Sequence, residues 1–176
     1  MDDIQRVLEE ALSTSAVSLL EAYGARNVKA GPPHAANEPE DLREFVAIVG
    51  FGAQGARGSL SLAADREVIR ALGELPDEVG PIRDWVGELA NQLTGRLKNK
   101  LLKYGLVITL STPTVFSGIA LKVHGEANTL QTYKFETELG ELLACLDFHV
   151  DDEIQLRESA ADEDQAPVEE GEMMLF

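Results

Sequence analysis

The sequence lacks the features that mark secreted, disulfide-bonded and membrane-spanning proteins. Cys145 is its single cysteine, which excludes an intrachain disulfide, and its apolar neighbours predict a buried, unreactive thiol. No stretch approaches the ~18 consecutive apolar residues of a membrane helix. The first residues are acidic and lack the basic and apolar regions of a secretory signal. We therefore expect a cytoplasmic protein without membrane contact.

Basic residues are also scarce. The chain has 15 Lys and Arg against 31 Asp and Glu, which gives a formal net charge of −16. Such a negative field disfavours binding to nucleic acid or to an anionic membrane. The acids concentrate at the C-terminal end, where residues 151–176 contain ten of them and Arg157 is the one base. Apolar periodicity is lost there too, which predicts a domain over residues 1–156 and an acidic disordered tail over 157–176.

Motifs of several common enzyme classes are missing. The histidines, His34, His124 and His149, are far apart and have no cysteine at ligand spacing, so we predict no metal site. Neither a P-loop nor a G-x-S-x-G turn occurs. One match to the dinucleotide fingerprint G-x-G-x-x-G begins at Gly50, but an alternating pattern follows it. That pattern predicts a second strand where the fingerprint needs a helix, so we interpret these glycines as part of a β-hairpin.

Hydrophobic periodicity predicts two long helices and about six strands. The helices cover residues 3–23 and 82–104, with a short third helix at 65–72 and loops at 24–41 and 74–81. The strands are predicted at 45–51, 59–63, 106–111, 118–124, 132–138 and 141–150. This order indicates an α/β protein of the α+β type, in which two long helices pack on one side of a mostly antiparallel sheet.

The second long helix has two distinct faces when its residues are placed at 100° intervals. One is a narrow apolar stripe that predicts the core contact: Ile82, Val86, Leu89, Leu93 and Leu97. The opposite stripe is polar and contains Asp84, Glu88, Asn91, Gly95 and Lys98.

Glu88 and Asn91 thus stand one turn apart on an exposed face. Gly95 leaves the next turn bare, although a helical glycine costs about 1 kcal/mol relative to alanine. Close approach of another protein would explain its presence. The simpler interpretation of an E-x-x-N pair alone is a solvated helix face, because Glu and Asn are common on surfaces.

The wider context favours a specific site. The run DWVGELANQLTGRLK at 84–98, followed by ITLSTPTVFSG at 108–118, resembles the CheX branch of the CheC/CheX/FliY chemotaxis phosphatases. That family carries an Asp or Ser, then E-x-x-N, then a proline. Asp84, Glu88, Asn91 and Pro113 fit those positions. The resemblance implies a CheC-like fold over residues 1–156 and a phosphatase that hydrolyses the aspartyl phosphate of a CheY-like response regulator.

The resemblance also implies roles for individual residues. Asn91 would order the attacking water through its carboxamide, as a glutamine does in GTPases. Glu88 would pair with a lysine of the regulator and fix docking. The surrounding partner-binding surface would comprise Asp84, Gly95, Lys98 and Pro113. No cofactor is expected on this chain, because Mg²⁺ belongs to the receiver domain of the partner.

Family members with two sites carry a second E-x-x-N in the first helix. Leu19 and Ala22 occupy the comparable places here, so we predict a single site. Some members also pair through strand edges, which makes a homodimer an alternative to a monomer.

Three questions stay open at this stage. A non-catalytic module of the same fold, which binds a receiver or acts as a flagellar-switch adaptor, is the main alternative to a phosphatase. The sequence fits a role in chemotaxis and a role in another two-component pathway equally well. The acidic tail, which ends in MMLF, serves either solubility or the docking of a partner.

Overall fold

Three helices lie against an antiparallel sheet in the computed structural model, which describes residues 2–35, 40–124 and 129–151. The helices are α1 (Asp2–Ala22), α2 (Arg66–Gly73) and α3 (Val79–Leu102). Four long strands form the centre of the sheet: β4 (Phe45–Ala53), β5 (Ala56–Ala64), β9 (Leu130–Thr137) and β10 (Gly140–Val150). Six short strands complete the described part: β1 (Lys29–Ala30), β2 (His34–Ala35), β3 (Glu40–Asp41), β6 (Thr109–Leu110), β7 (Thr114–Ser117) and β8 (Lys122–Val123).

The strand order in the main sheet is β1-β9-β10-β5-β4-β6, with β2 added beside β9 and β7 beside β4. Strands β3 and β8 pair separately as a small ribbon. Every described pair is antiparallel. The predicted α+β class with a mostly antiparallel sheet is therefore confirmed.

The glycine-rich run forms the turn of a hairpin. Strands β4 and β5 pair up to Ala53 and Ala56, and Gly55 takes a φ of 72° in the turn between them. A Cβ on Gly58 would lie 2.2 Å from the carbonyl oxygen of Asp147 and 2.7 Å from the Phe51 ring, so this strand position needs a glycine. The hairpin interpretation is confirmed, and no dinucleotide-binding turn forms here.

The main core lies between the helices and one face of the sheet. All five residues of the predicted apolar stripe of α3 are at most 1% exposed. They meet alternate residues of the long strands, among them Phe45, Val49, Leu60 and Phe135. Helix α1 packs beside α3 on the same side of the sheet.

The other face of the sheet is also covered. Val46, Ala63 and Leu143 form a smaller buried cluster there with Leu42 and Leu121. The backbone N–H of Leu42 donates to the carbonyl of Leu121 at 2.9 Å, which joins the two covering segments. The predicted loop at 24–41 is thus partly wrong, because β1, β2 and the ribbon strand β3 form within it.

Two predicted strands are also wrong in extent. The predicted strand at 106–111 is reduced to Thr109–Leu110, and the one at 118–124 is reduced to Lys122–Val123. Instead, the chain pairs with β4 directly after Pro113, through Thr114–Ser117. The N–H missing from a proline does not disturb a strand that begins one residue later.

Helix α3 begins at Val79, three residues before its predicted start. Pro81 lies in the first turn, where its missing N–H has no partner within the helix in any case. Among the described residues, none of the helices has the length and apolar character that crossing a membrane requires. The predicted tail, 157–176, lies outside the described residues, which end at Asp151.

Candidate functional site

An open depression of about 400 Å³ lies between the exposed face of α3 and the segment that leads into β7. Seven residues line it: Arg83, Asp84, Gly87, Glu88, Asn91, Pro113 and Val115. Four of these are residues singled out in the sequence. The structure therefore brings Asp84, Glu88, Asn91 and Pro113 together around one surface feature.

The three polar residues reach the depression because of their helical spacing. Asp84, Glu88 and Asn91 occupy positions i, i+4 and i+7 of α3, on the side away from the buried stripe. Asp84 and Glu88 are exposed, and Asn91 is partly buried. The prediction that Glu88 and Asn91 share one accessible face is confirmed.

Pro113 approaches the helix because β7 pairs with β4. Val115 lies opposite Ala47 in that pairing, and Ala47 belongs to the main core. A Cβ added to Gly87 would lie 3.1 Å from Cγ2 of Val115 and 3.9 Å from Cβ of Pro113. Gly87 thus lets the segment pack closely on α3, and its place between the apolar and polar stripes was the available signal for that role.

The two remaining predicted contact residues lie outside the lining of the depression. Gly95 would have nothing within 4 Å of an added Cβ, so the helix is bare at this turn. Lys98, one turn further on, is partly buried, and within the described residues it makes no ion pair. By contrast, its neighbour Arg96 donates to Ser18 of α1 at 3.1 Å.

The two acids of the site have different partners. Arg83 donates twice to one carboxylate oxygen of Asp84, at 2.9 and 3.1 Å. Gln92 donates from Nε2 to Oε1 of Glu88 at 2.9 Å. Neither Arg83 nor Gln92 was predicted from the sequence, since their roles depend on side-chain directions rather than on a motif.

The Asn91 carboxamide is unengaged. In the part of the chain that the structure describes, no hydrogen bond to this side chain occurs. A carboxamide has two donor hydrogens and an acceptor oxygen, all of which are thus open to a ligand or a water.

The charge balance of the site indicates what it can bind. Asp84 and Glu88 supply two carboxylates and Arg83 one guanidinium, so the lining is negative by one charge. Such a surface attracts a cationic group and repels an unshielded anion. None of the lining residues is a serine, cysteine or histidine, so the depression offers no side-chain nucleophile of those types. Among the described residues, no group of three or more metal-ligating side chains is found.

Helix α1 has no comparable Glu and Asn pair at Leu19 and Ala22, the positions where a second E-x-x-N would lie. Leu19 is 2% exposed and belongs to the main core, while Ala22 is exposed at the end of the helix. A buried leucine cannot offer a carboxylate to a partner.

Known proteins resemble this chain in sequence and in fold. The family model described as chemotaxis phosphatase CheX matches residues 45–136, slightly more than half of the chain, and this span contains all seven residues that line the depression. Among curated proteins, none matches the sequence.

Several solved structures share the fold of this protein over most of its length. A chemotactic CheC-like protein from Shewanella oneidensis is 23% identical, with a TM-score of 0.72 over 81% of this chain and 98% of its own. The chemotaxis protein CheX from Vibrio vulnificus is 21% identical, with a TM-score of 0.73 over 81% and 99%. CheX in a complex with CheY, BeF3 and Mg²⁺ from Borrelia burgdorferi is 17% identical, with a TM-score of 0.67 over 80% and 96%. With a family model that spans more than half of its length and a fold shared with these structures, the chain belongs to the CheX family of chemotaxis phosphatases.

Proposed function

We propose that this protein accelerates hydrolysis of the aspartyl phosphate on a CheY-like response regulator, in the cytoplasm. The main support for this proposal is that Glu88 and Asn91 line one open depression beside Pro113. The Asn91 side chain makes no hydrogen bond within the described residues. The Borrelia burgdorferi relative bound to CheY supports the class of partner. Membership of a phosphatase family supports the class of reaction.

Asn91 would place the attacking water. Hydrolysis of a phosphoryl group needs a water in line with the bond that breaks, and catalysis consists mainly of positioning and charge stabilisation. A neutral carboxamide holds water by donating and accepting hydrogen bonds without adding negative charge next to the phosphoryl group. A carboxylate at the same place would repel that group.

Glu88 would dock the partner. It lies one turn from Asn91, so its charge is displaced from the position of the water. The net negative lining suits a lysine on the receiver better than it suits the phosphoryl group itself. A lysine held by Glu88 would fix the receiver so that its phosphorylated aspartate faces Asn91.

The other predicted residues would shape the contact. Asp84 and Pro113 border the depression, while bare Gly95 and Lys98 extend the same face of α3 beyond it. Arg83, already paired with Asp84, would lie at the rim. The chain itself would bind no cofactor, and Mg²⁺ would be supplied by the receiver.

The test is the decay of a phosphorylated CheY-like receiver, followed with and without this protein. A phosphatase shortens the lifetime of the phosphorylated receiver at protein concentrations far below that of the receiver. A non-catalytic binding module would leave the lifetime unchanged or lengthen it. Binding to the receiver without any acceleration would overturn the proposal in favour of that module.

A further inference from the structure

A chain of two hydrogen bonds lies behind the Glu88 carboxylate. The hydroxyl of Tyr23 donates to Oε1 of Gln92 at 3.3 Å, and Nε2 of Gln92 donates to Oε1 of Glu88 at 2.9 Å. The ring of Trp85 meets the ring of Tyr23 edge-on, with centroids 5.2 Å apart and planes at 73°. The exposed acid is thus connected to a partly buried aromatic pair.

The two hydrogen bonds can form in only one stable donor-to-acceptor order. Glu88 is an acceptor when ionised, so the amide group beside it must present its NH₂ side. This leaves the amide oxygen of Gln92 toward Tyr23, whose hydroxyl is a donor. A flipped amide would bring its oxygen against the carboxylate oxygen, and the two acceptors would repel each other. The Glu88 carboxylate therefore sets the orientation of Gln92 in which the NH₂ group faces Glu88, and the Tyr23 hydroxyl holds the amide in place by donating to its oxygen.

These hydrogen bonds also link the C-terminal end of α1 to α3. Trp85, Glu88 and Gln92 occupy positions i, i+3 and i+7 on one flank of α3. Tyr23 directly follows α1, and its backbone N–H is tied to the carbonyls of Leu19 and Leu20, at 3.2 Å each. The direction of the Glu88 side chain thus depends on the packing of the α1 C-terminus against α3.

We propose that Gln92 and Tyr23 are positioning residues that hold the Glu88 carboxylate ready for a cationic group of the partner. Gln92 occupies one carboxylate oxygen, Oε1, and leaves Oε2 to the incoming cation. A glutamate that is already restrained loses less rotamer freedom when it pairs, so binding is tighter. This inference rests on the proposed function for the identity of the partner but not for the existence of the network.

The first test is a double-mutant cycle on binding. Gln92→Leu and Tyr23→Phe each remove one link, and the dissociation constant is measured for a CheY-like receiver activated with BeF3 and Mg²⁺. We expect Gln92→Leu to weaken binding roughly fivefold to tenfold and Tyr23→Phe by less, with kcat changed less than twofold. In a Glu88→Ala background the effect of Gln92→Leu should vanish.

Matched controls are available outside the proposed contact face. Gln5→Leu replaces an exposed amide side chain of α1 by leucine, and Tyr104→Phe, just after the end of α3, removes another tyrosine hydroxyl; neither residue lines the depression. Both should leave receiver binding unchanged. If Gln92→Leu weakened binding equally with and without Glu88, the residue would act by itself and its positioning role would be overturned.

The second test needs no receiver. In nuclear magnetic resonance spectra, the side-chain amide signals of Gln92 should shift in both Glu88→Ala and Tyr23→Phe. Signals that stay unchanged in both variants would overturn the network, whatever the receiver experiment shows. If the signals shift but the wild-type protein binds no receiver, the proposed function fails while the hydrogen-bonded network stands.

Discussion

At the scale of single residues, Glu88 and Asn91 differ in their surroundings although they share one helix face. Glu88 is exposed and accepts a hydrogen bond from Gln92, whereas Asn91 is partly buried and unengaged among the described residues. An oriented charge suits recognition of a partner, and a free carboxamide suits the placing of a water. Substitution of Glu88 is therefore expected to affect mainly receiver binding, and substitution of Asn91 mainly the rate of hydrolysis.

Replacing Glu88 by alanine should mainly weaken docking. Loss of one charge-assisted hydrogen bond is worth about 1.5 kcal/mol, which corresponds to a roughly tenfold increase in KM for the phosphorylated receiver. The value of kcat should change by less than about threefold, since the water would still be placed by Asn91. Steady-state dephosphorylation across a range of receiver concentrations measures both constants. An unchanged KM with a large loss of kcat would contradict the docking role.

The sequence predicted the exposed residues of the site better than their partners. The positions of Glu88 and Asn91 follow from helical spacing alone, because their neighbours in space are three or four residues away in the chain. The contact between Tyr23 and Gln92 joins residues 69 positions apart, and no local pattern indicates it. Prediction from spacing therefore ended where the tertiary packing of α1 on α3 began.

At the scale of elements, α3 contains two glycines that the structure places in opposite surroundings. Gly95 faces open space, while Gly87 lies against Val115 of β7. Alanine has the higher helix propensity at both positions, so any difference between the two substitutions reports on contacts outside the helix. They form a matched pair.

Gly95→Ala should stabilise the protein by about 1 kcal/mol, because its methyl group meets nothing. For a chain of this length that raises Tm by about 2–4 °C. The same substitution should weaken receiver binding, since the added methyl group covers the bare turn that we propose the partner approaches. Thermal unfolding followed by circular dichroism measures the change in Tm, and a binding titration measures the change in the dissociation constant for the receiver.

Gly87→Ala should not show this gain in stability. Its Cβ would lie 3.1 Å from Cγ2 of Val115, so the Val115 side chain must move by a few tenths of an ångström to make room for it. We expect a Tm equal to or below that of the wild-type protein, together with reduced phosphatase activity. An increase in Tm equal to that of Gly95→Ala would contradict the close packing between α3 and β7.

The long elements could be predicted from the sequence, and the short ones could not. Helices α1 and α3 and the four long strands contain enough residues to show a clear period. Strands of two to four residues, such as β1 and β7, carry almost no periodic signal. They form because the long strands β9 and β4 offer them free edges, which is a property of the assembled sheet.

At the scale of the whole molecule, the described residues form a sheet covered on both faces. Helices cover one face, and the segments that contain Leu42 and Leu121 cover the other. The last described residue, Asp151, follows β10 and donates its N–H to the carbonyl of Gly55 at 2.9 Å. All strands of the sheet in the described part of the chain therefore precede the acidic end, which supports our proposal of a domain over residues 1–156.

Deleting residues 157–176 should leave the fold and the proposed site at Glu88 and Asn91 intact. That segment contains seven acids and Arg157, so the deletion also makes the chain less negative. We expect Tm to change by less than about 2 °C, and kcat for a phosphorylated receiver to stay within twofold. A large loss of stability would show that the domain extends beyond residue 156. Unchanged stability with weaker receiver binding would assign a docking role to the tail.

The proposed phosphatase mechanism depends most directly on Asn91, and one measurement isolates the contribution of this residue. A phosphorylated CheY-like receiver is saturated with the Asn91→Ala protein. Its decay rate is compared with that in the wild-type protein and in a Gln5→Ala control, which changes an exposed amide outside the depression. We predict a decrease in the accelerated rate on the order of 100-fold, because the water is no longer held in line, with receiver affinity unchanged. The control should behave as wild type. Decay at the wild-type rate with Asn91→Ala bound would contradict the proposed role of Asn91.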